Sequence, residues 1–233
     1  NPNVKKWNQW CRAEQQSDED VKVFFNKRKD AFTNYGFAVG HNGLVALDFD
    51  WAWVYHRAKD KGLSCIEGTF IAKTPNGGYR VLLFCQNYNK NDSKCKNTLR
   101  FEIFGGKHYA ACYGEAARED GSIGEYKVIY EEQIKKVDSL GELETFLEDT
   151  LKAYDFLTYP CISSFYEKHK KRVQLLHEQR LAIANLMLHK GITVEEASRF
   201  CSMWADYDES TSIYQCQSTK EKIEGVYYAA LVH

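Results

Sequence analysis

Short apolar runs, each closed by a turn rich in glycine or asparagine, set the pattern of the chain between residues 37 and 130. Runs of this length bounded by such turns read as strands. Phe37-Ala38-Val39-Gly40 is the first, and His41-Asn42-Gly43 is a turn by its Asn-Gly pair. Leu44 to Asp48 follows as a short buried strand, so the pattern predicts a hairpin over Phe37 to Asp50. Phe70 to Phe84 reads as two apolar strands around the tight turn Pro75-Asn76-Gly77-Gly78. Leu99 to Phe104, a returning hairpin arm over Gly105 to Cys112, and Gly121 to Tyr130 complete the strands.

Helical spacing flanks this region. Residues 4 to 31 look helical: Trp7 and Trp10 fall three apart, and Ser17-Asp18-Glu19-Asp20 caps a second run, Val21 to Phe32. An aromatic helix is predicted over Trp51 to Lys61, ended by Gly62. After Tyr130 everything reads as helix. Ser139-Leu140-Gly141-Glu142 is a capping box for a helix to about Tyr154. Leu157 to Ser164, holding Pro160, is a hinge, and Glu167 to His189 is a helix with a basic start, Lys168 to Arg172. Thr193-Val194-Glu195-Glu196 opens a helix through about Ala205, and Ser218-Thr219-Lys220-Glu221 opens another leading to Tyr227-Tyr228. The predicted class is α/β (α+β): a strand-rich domain over 1–155, then a small all-α helical bundle over 165–233 that folds on its own.

Composition narrows the options. A chain of 233 residues with 44% hydrophobic and 27% charged residues has material for a proper core. Its net charge of -1 excludes a uniformly basic nucleic-acid binder, so any such contact must come from local patches. No apolar run approaches the roughly 20 residues of a membrane span. There is no signal-peptide pattern either, and a cytoplasmic location without membrane partners is expected. The eight cysteines are widely and irregularly spaced with no CxxC pair, as expected of small core residues in a reducing cell. Cys85 and Cys95 flank the polar insert Gln86 to Lys94, and a disulfide or half of a structural zinc site are both open there. Two ligands are too few for zinc, and the sequence names no others.

Candidate chemistry gathers at the strand ends. Asp48 and Asp50 are spaced i, i+2, so on a strand they project from one face while Phe49 turns to the other. Two anions so close repel unless a cation sits between them, and oxygen ligands suit Mg²⁺ or Mn²⁺. The bland alternative is a strand-end turn with two solvated aspartates. Glycines let backbone N–H groups approach a ligand, and Lys73 and Arg80 flank Gly77 and Gly78 with positive charge, a combination that can hold a phosphate chain. Most Gly-Gly hairpins, however, are only turns. Glu102 lies between Phe101 and Ile103 and by alternation shares a face with Arg100 and Phe104. It is either paired with Arg100 or aimed at a partner elsewhere. The arm after Gly105-Gly106 delivers Lys107 and His108 near the same place.

The order of these parts resembles the plasmid-type primase–polymerases of the archaeo-eukaryotic primase superfamily. A DxD strand end comes first, then a Thr-Pro-x-Gly-Gly hairpin with a basic residue beyond it, then a strand carrying a third acid followed by Gly-Gly. The match spans roughly residues 35 to 130, and the helical tail is similar to the bundle that often follows that catalytic domain. The resemblance implies an RRM-like core and a two-metal site, Mg²⁺ or Mn²⁺, held by Asp48, Asp50 and Glu102. It implies nucleotide contacts from Lys73, Thr74, Asn76, Gly77, Gly78, Arg80, Lys107 and His108. Arg80 stands where the family usually has histidine, and arginine can grip phosphate bidentately. The implied activity is that of a DNA primase and polymerase in replication of a plasmid or similar element. The implied partners are single-stranded DNA template, nucleoside triphosphates, and a helicase on the same parent chain or separate. Two rivals stand beside it: a metal-dependent nuclease or replication initiator, and a non-catalytic nucleic-acid-binding domain. Rolling-circle initiators typically use a His-hydrophobe-His pair, which does not occur in this sequence.

Overall fold

Strand β2 (Leu44–Phe49) is buried along its whole length and is paired on both sides. In the computed structural model, which describes residues 33–40, 42–88, 97–106, 108–118, 120–131, 133–164, 175–203 and 207–231 together with 19 and 23, it is flanked by β4 (Tyr79–Cys85) and β5 (Phe101–Phe104). The other strands are β1 (Asn34–Val39), β3 (Ile71–Lys73), β6 (His108–Ala117), β7 (Ile123–Tyr130) and β8 (Lys135–Val137). Their order is β1-β6-β7-β3-β4-β2-β5, with β8 pairing β4 off this path. All the ladders are antiparallel except β4 with β8. Among the described residues the α-helices are α1 (Ala52–Asp60), α2 (Gly141–Ala153), α3 (His177–His189), α4 (Val194–Phe200) and α5 (Glu209–Leu231). The architecture is mixed α+β.

The sheet has two unlike faces. Val45, Leu47 and Phe49 of β2 join a large apolar cluster with Trp53 and Val54 of α1, Leu143 and Leu147 of α2, Ile183 of α3 and Ala197 of α4. On the other face Leu44 and Ala46 meet Val39, Phe70, Ala72, Leu82, Ala110 and Cys112 in a smaller cluster to which, among the described residues, no helix contributes. The sheet curls, so β1 and β6 cover that second face. Each fully buried large side chain here contributes about 1.5–3 kcal/mol, and the pleat of β2 decides which cluster receives it.

Several expectations need correction. The Phe37–Asp50 hairpin does not form as a ladder: β1 pairs β6, from Asn34 opposite Gly114 to Val39 opposite His108. Gly36 permits this, since a Cβ there would collide with the Ala110 carbonyl. The Asn-Gly turn survives, with Asn42 and Gly43 at φ of 50° and 78° and the Gly40 amide donating to the Leu44 carbonyl at 2.6 Å, but it hands the chain from one part of the sheet to another. The Gly105–Cys112 arm likewise turns back but pairs β1 and β7. The stretch after Tyr130 is not all helix, because β8 adds to β4 in parallel. Ser218 opens no helix: α5 runs through it, Thr219 bonds back to the Gln215 carbonyl, and Asp208 Oδ1 caps the helix by accepting from the Thr211 amide at 2.8 Å. At the Ser139 box, α2 starts as expected, but Glu142 accepts hydrogen bonds from the Ser64 hydroxyl and amide. Thr193 does cap α4, accepting from the Glu196 amide.

The helical half is not a separate core. Tyr154, Phe156, Ile162, Leu175, Met187, Phe200 and Cys216 belong to the same cluster as β2 and α1, so buried packing crosses the stretch read as a hinge. Arg57–Glu196, Arg199–Asp60 and Lys190–Asp155 ion pairs span it as well, the last at 2.6 Å. Cys65, Cys85, Cys112, Cys201 and Cys216 are buried free thiols, as expected for core residues. Among the described residues no helix is long and apolar enough to cross a membrane. The predicted helices over residues 4 to 31, Cys95, Lys107, the basic run Lys168 to Arg172 and the side chains of Tyr227 and Tyr228 lie outside the described residues.

Candidate functional site

Register places Asp48 between two other residues of the predicted site. Along β2 it stands opposite Arg80 on β4 and opposite Glu102 on β5. Side chains directly opposed across antiparallel strands lie within about 4.5–5.5 Å at Cβ. Asp48, Arg80 and Glu102 therefore share one face, that of the smaller cluster. Asp48 and Arg80 are each only 8% exposed, whereas Glu102 is half-buried.

Arg80 is bound to Asp48 through both nitrogens of its fork: Nε donates to Oδ1 at 3.1 Å and Nη2 to Oδ2 at 2.8 Å. Its third nitrogen, Nη1, donates to the Ala111 carbonyl of β6 at 2.7 Å. The Phe104 and Tyr126 rings stand 5.6 and 5.7 Å from the guanidinium carbon. Bidentate, charge-assisted pairs of this kind are the strong ones, and removing one partner of a buried pair is costly. Burial alone would draw the Arg80 pKa down, but the charge and hydrogen bonds of Asp48 outweigh it and push it up, so Arg80 stays charged. Burial also raises the neighbouring acids: the Cys112 thiol and the Tyr109 hydroxyl are each pushed up to about 12, with the charge of Arg80 opposing both shifts.

The other predicted residues divide. Asp50 does not share the alternation of Asp48, because β2 ends at Phe49. It lies exposed in a bend, with its amide donating to the Arg100 carbonyl at 3.0 Å. Arg100, the bland partner for Glu102, sits in a turn before β5 at φ of 50°, so strand alternation does not carry it onto the Glu102 face. The Pro75–Gly78 turn forms as read. The Thr74 amide donates to the Gly78 carbonyl at 2.8 Å and the Gly77 amide to the Thr74 carbonyl at 2.9 Å. The Gly77 N–H is thus spent inside the turn. Gly78 is a glycine because a Cβ there would collide with the Phe49 and Asp50 carbonyl oxygens, which presses the turn against the end of β2. Asn76 is exposed and Thr74 buried.

Lys73 is not brought to Arg80. Ala72 pairs with Arg80, and Lys73 pairs with Tyr79 on the opposite face. There its charge is one of three, after Arg199 and Lys59, that add to burial in lowering the His56 pKa, while the Tyr79 hydroxyl lies 3.2 Å from His56 Nε2. His108 is exposed at the start of β6, its ring 5.7 Å from Phe104. The Asp48–Arg80 pair, the Ala111 carbonyl and the Tyr126 ring were not anticipated, since only the pairing of β2 with β4 and the curl of β6 bring them together. A cleft of about 350 Å³ between α1 and α4, lined by residues including Trp53, Arg57, Tyr154 and Arg199, holds none of the predicted site residues.

Asp48 and Glu102 offer hard oxygen donors suited to a divalent cation, and a positive group, the Arg80 guanidinium, already stands on Asp48. The donor chemistry fits such an ion. Among the described residues no three His, Cys, Asp or Glu side chains are gathered closely enough to hold one as they stand. No protein-family model matches this chain, and no curated protein matches it.

Proposed function

We propose that the chain is a template-directed nucleotidyltransferase, a DNA primase–polymerase with an RRM-like catalytic core, working with single-stranded template, nucleoside triphosphates and a helicase. The observation that carries this is the in-register arrangement of Arg80, Asp48 and Glu102 across β4, β2 and β5, beside a glycine turn packed on the end of β2. Asp48 and Glu102, with Asp50 at the strand end, would hold Mg²⁺ or Mn²⁺. When bound, these ions supply Lewis acidity and charge neutralisation for in-line attack of a 3′-hydroxyl on the α-phosphate.

The chain's own residues set the geometry. The paired ladders of β2 hold the Asp48 and Glu102 backbones in register, so that the two side chains share one face of the sheet. Arg80 fixes the plane of the Asp48 carboxylate by gripping both oxygens. His108, exposed beside Phe104, would offer a contact to a triphosphate oxygen. Lys73 faces away from Arg80 and has no part in that contact.

The bidentate Asp48–Arg80 pair favours a second reading, in which the acids are structural and the domain binds nucleic acid without chemistry. A primer-synthesis assay on single-stranded DNA, with ribo- and deoxynucleotides labelled in turn, separates the two. Labelled products of several nucleotides support the enzyme. Template binding without incorporation of either nucleotide class supports the second reading.

A further inference from the structure

Asp48 is the central carboxylate of the site, and both its oxygens are engaged by one cation. A carboxylate has about four lone-pair directions, so a fork in the carboxylate plane leaves room for other ligands only on its outer sides. Any metal ion reaching those sides meets a guanidinium across the same group. Histidine at this position could shed its proton and step aside; arginine cannot. The guanidinium is also tied down independently of Asp48, by the Ala111 carbonyl at 2.7 Å and between the Phe104 and Tyr126 rings. Its charge therefore stays near Asp48 even when one of the two hydrogen bonds to the carboxylate opens.

We infer that Arg80 is a resident counter-ion that competes with a divalent cation for Asp48 and thereby holds down the metal affinity of the site. This rests on the reading of Asp48 and Glu102 as metal ligands. With Arg80 in place both oxygens of the buried carboxylate already face a cation. Metal binding then requires Asp48 to be shared between two cations, or one of the Arg80 hydrogen bonds to be given up. Anionic phosphate close to Arg80 relieves that repulsion, so nucleotide and metal bind with positive coupling.

The test is Mn²⁺ binding to the full chain in the absence of nucleotide, followed by calorimetry and by the paramagnetic resonance of free Mn²⁺. Wild type is compared with Arg80→Gln, Arg80→Lys and Asp48→Asn. Arg80→Gln is expected to bind Mn²⁺ about tenfold or more tightly than wild type, because the competing charge is gone and the buried Asp48 needs a new partner. Arg80→Lys, which offers a point charge in place of a fork, is expected to fall between them, and Asp48→Asn to lose most of the binding. Should Arg80→Gln be unfolded without metal, its thermal transition is followed against Mn²⁺ concentration. A larger upward shift than in wild type supports the competition. Mn²⁺ binding in the Arg80 variants equal to or weaker than wild type, with Asp48→Asn still defective, would overturn the competition while leaving the metal site standing. Absence of Mn²⁺ binding from wild type and every Arg80 variant would overturn the metal reading and this proposal with it.

Discussion

Val45, Leu47 and Phe49 point to one side of β2, and Leu44, Ala46 and Asp48 to the other. All six are buried, yet their surroundings differ in kind. On the first side Phe49 lies against Phe101 and Tyr55 at 4.8 and 5.7 Å between ring centres, beneath α1. Interactions there are non-directional, and hydrophobic neighbours can share a loss. On the second side the strands close over a carboxylate that depends on a single guanidinium. Apolar packing tolerates substitution by degrees; a buried charge pair tolerates almost none, because the survivor is left uncompensated. A buried charge pair retained within the sheet at that risk is the reason for assigning chemistry to the second face and support to the first.

The contrast can be broken in order of effect. Asp48→Asn leaves Arg80 without its anion and lowers stability. In the molecules that remain folded it is expected to reduce nucleotide incorporation about a thousandfold, the scale of losing a central electrostatic group. Template binding should be retained, and incorporation within tenfold of wild type would remove Asp48 from the chemistry. On the other face, Phe49→Ala is expected to lower unfolding free energy by about 4 kcal/mol, read from urea denaturation, with the turnover of the remaining folded molecules unchanged. Arg80→Ala should cost about 3 kcal/mol by leaving Asp48 buried and alone, and adding Asp48→Ala to it should restore part of that loss. Strict additivity of the two changes would mean that they do not act as a pair.

Cutting the chain after Thr158 sharpens the comparison from the helix side. Tyr154 and Trp53 pack on Phe200 at 6.4 and 5.3 Å, so the truncated protein should melt at a lower temperature than the full chain. A truncated protein with an unchanged melting temperature would show that the two halves fold separately. The smallest effect should come at high pH. Burial raises the Cys112 thiol from 9.0 to about 12, so the folded state keeps its proton where the unfolded state loses it. Stability is then fully present below pH 9 and declines as pH rises from 9 towards 12. Cys112→Ala should flatten that decline in thermal scans from pH 8 to 11, and an identical slope in the variant would assign the decline to other groups.

Much of this was legible in the chain, for local reasons. Short apolar runs bounded by turns located β2, β4, β5 and β7, and the Asn42-Gly43 and Pro75–Gly78 turns were read from residues that favour left-handed or tight backbone. Asp48 and Glu102 stood out because acids interrupt buried strands. Strand partners were not legible. Nothing local in Phe37 to Val39 says that it joins β6 across some 70 residues, and a three-residue strand such as Lys135–Val137 is too short to show a period. Arg80 was read as a phosphate ligand because its sequence neighbours are glycines, while its structural neighbour, Asp48, lies 32 positions away. Asp50 shows the limit of the alternation rule, which holds only while the strand lasts.

The most direct test of nucleotidyl transfer at this face is Glu102→Gln, since Glu102 is half-buried, opposes Asp48 and can be changed without orphaning a buried partner. Incorporation of labelled nucleotide on single-stranded DNA with Mn²⁺ would be measured for this variant and wild type, alongside their thermal melting. Wild type is expected to make product and Glu102→Gln to make almost none, at closely similar melting temperatures. Product formation by Glu102→Gln at the wild-type rate, or no product from either protein, would contradict the assignment.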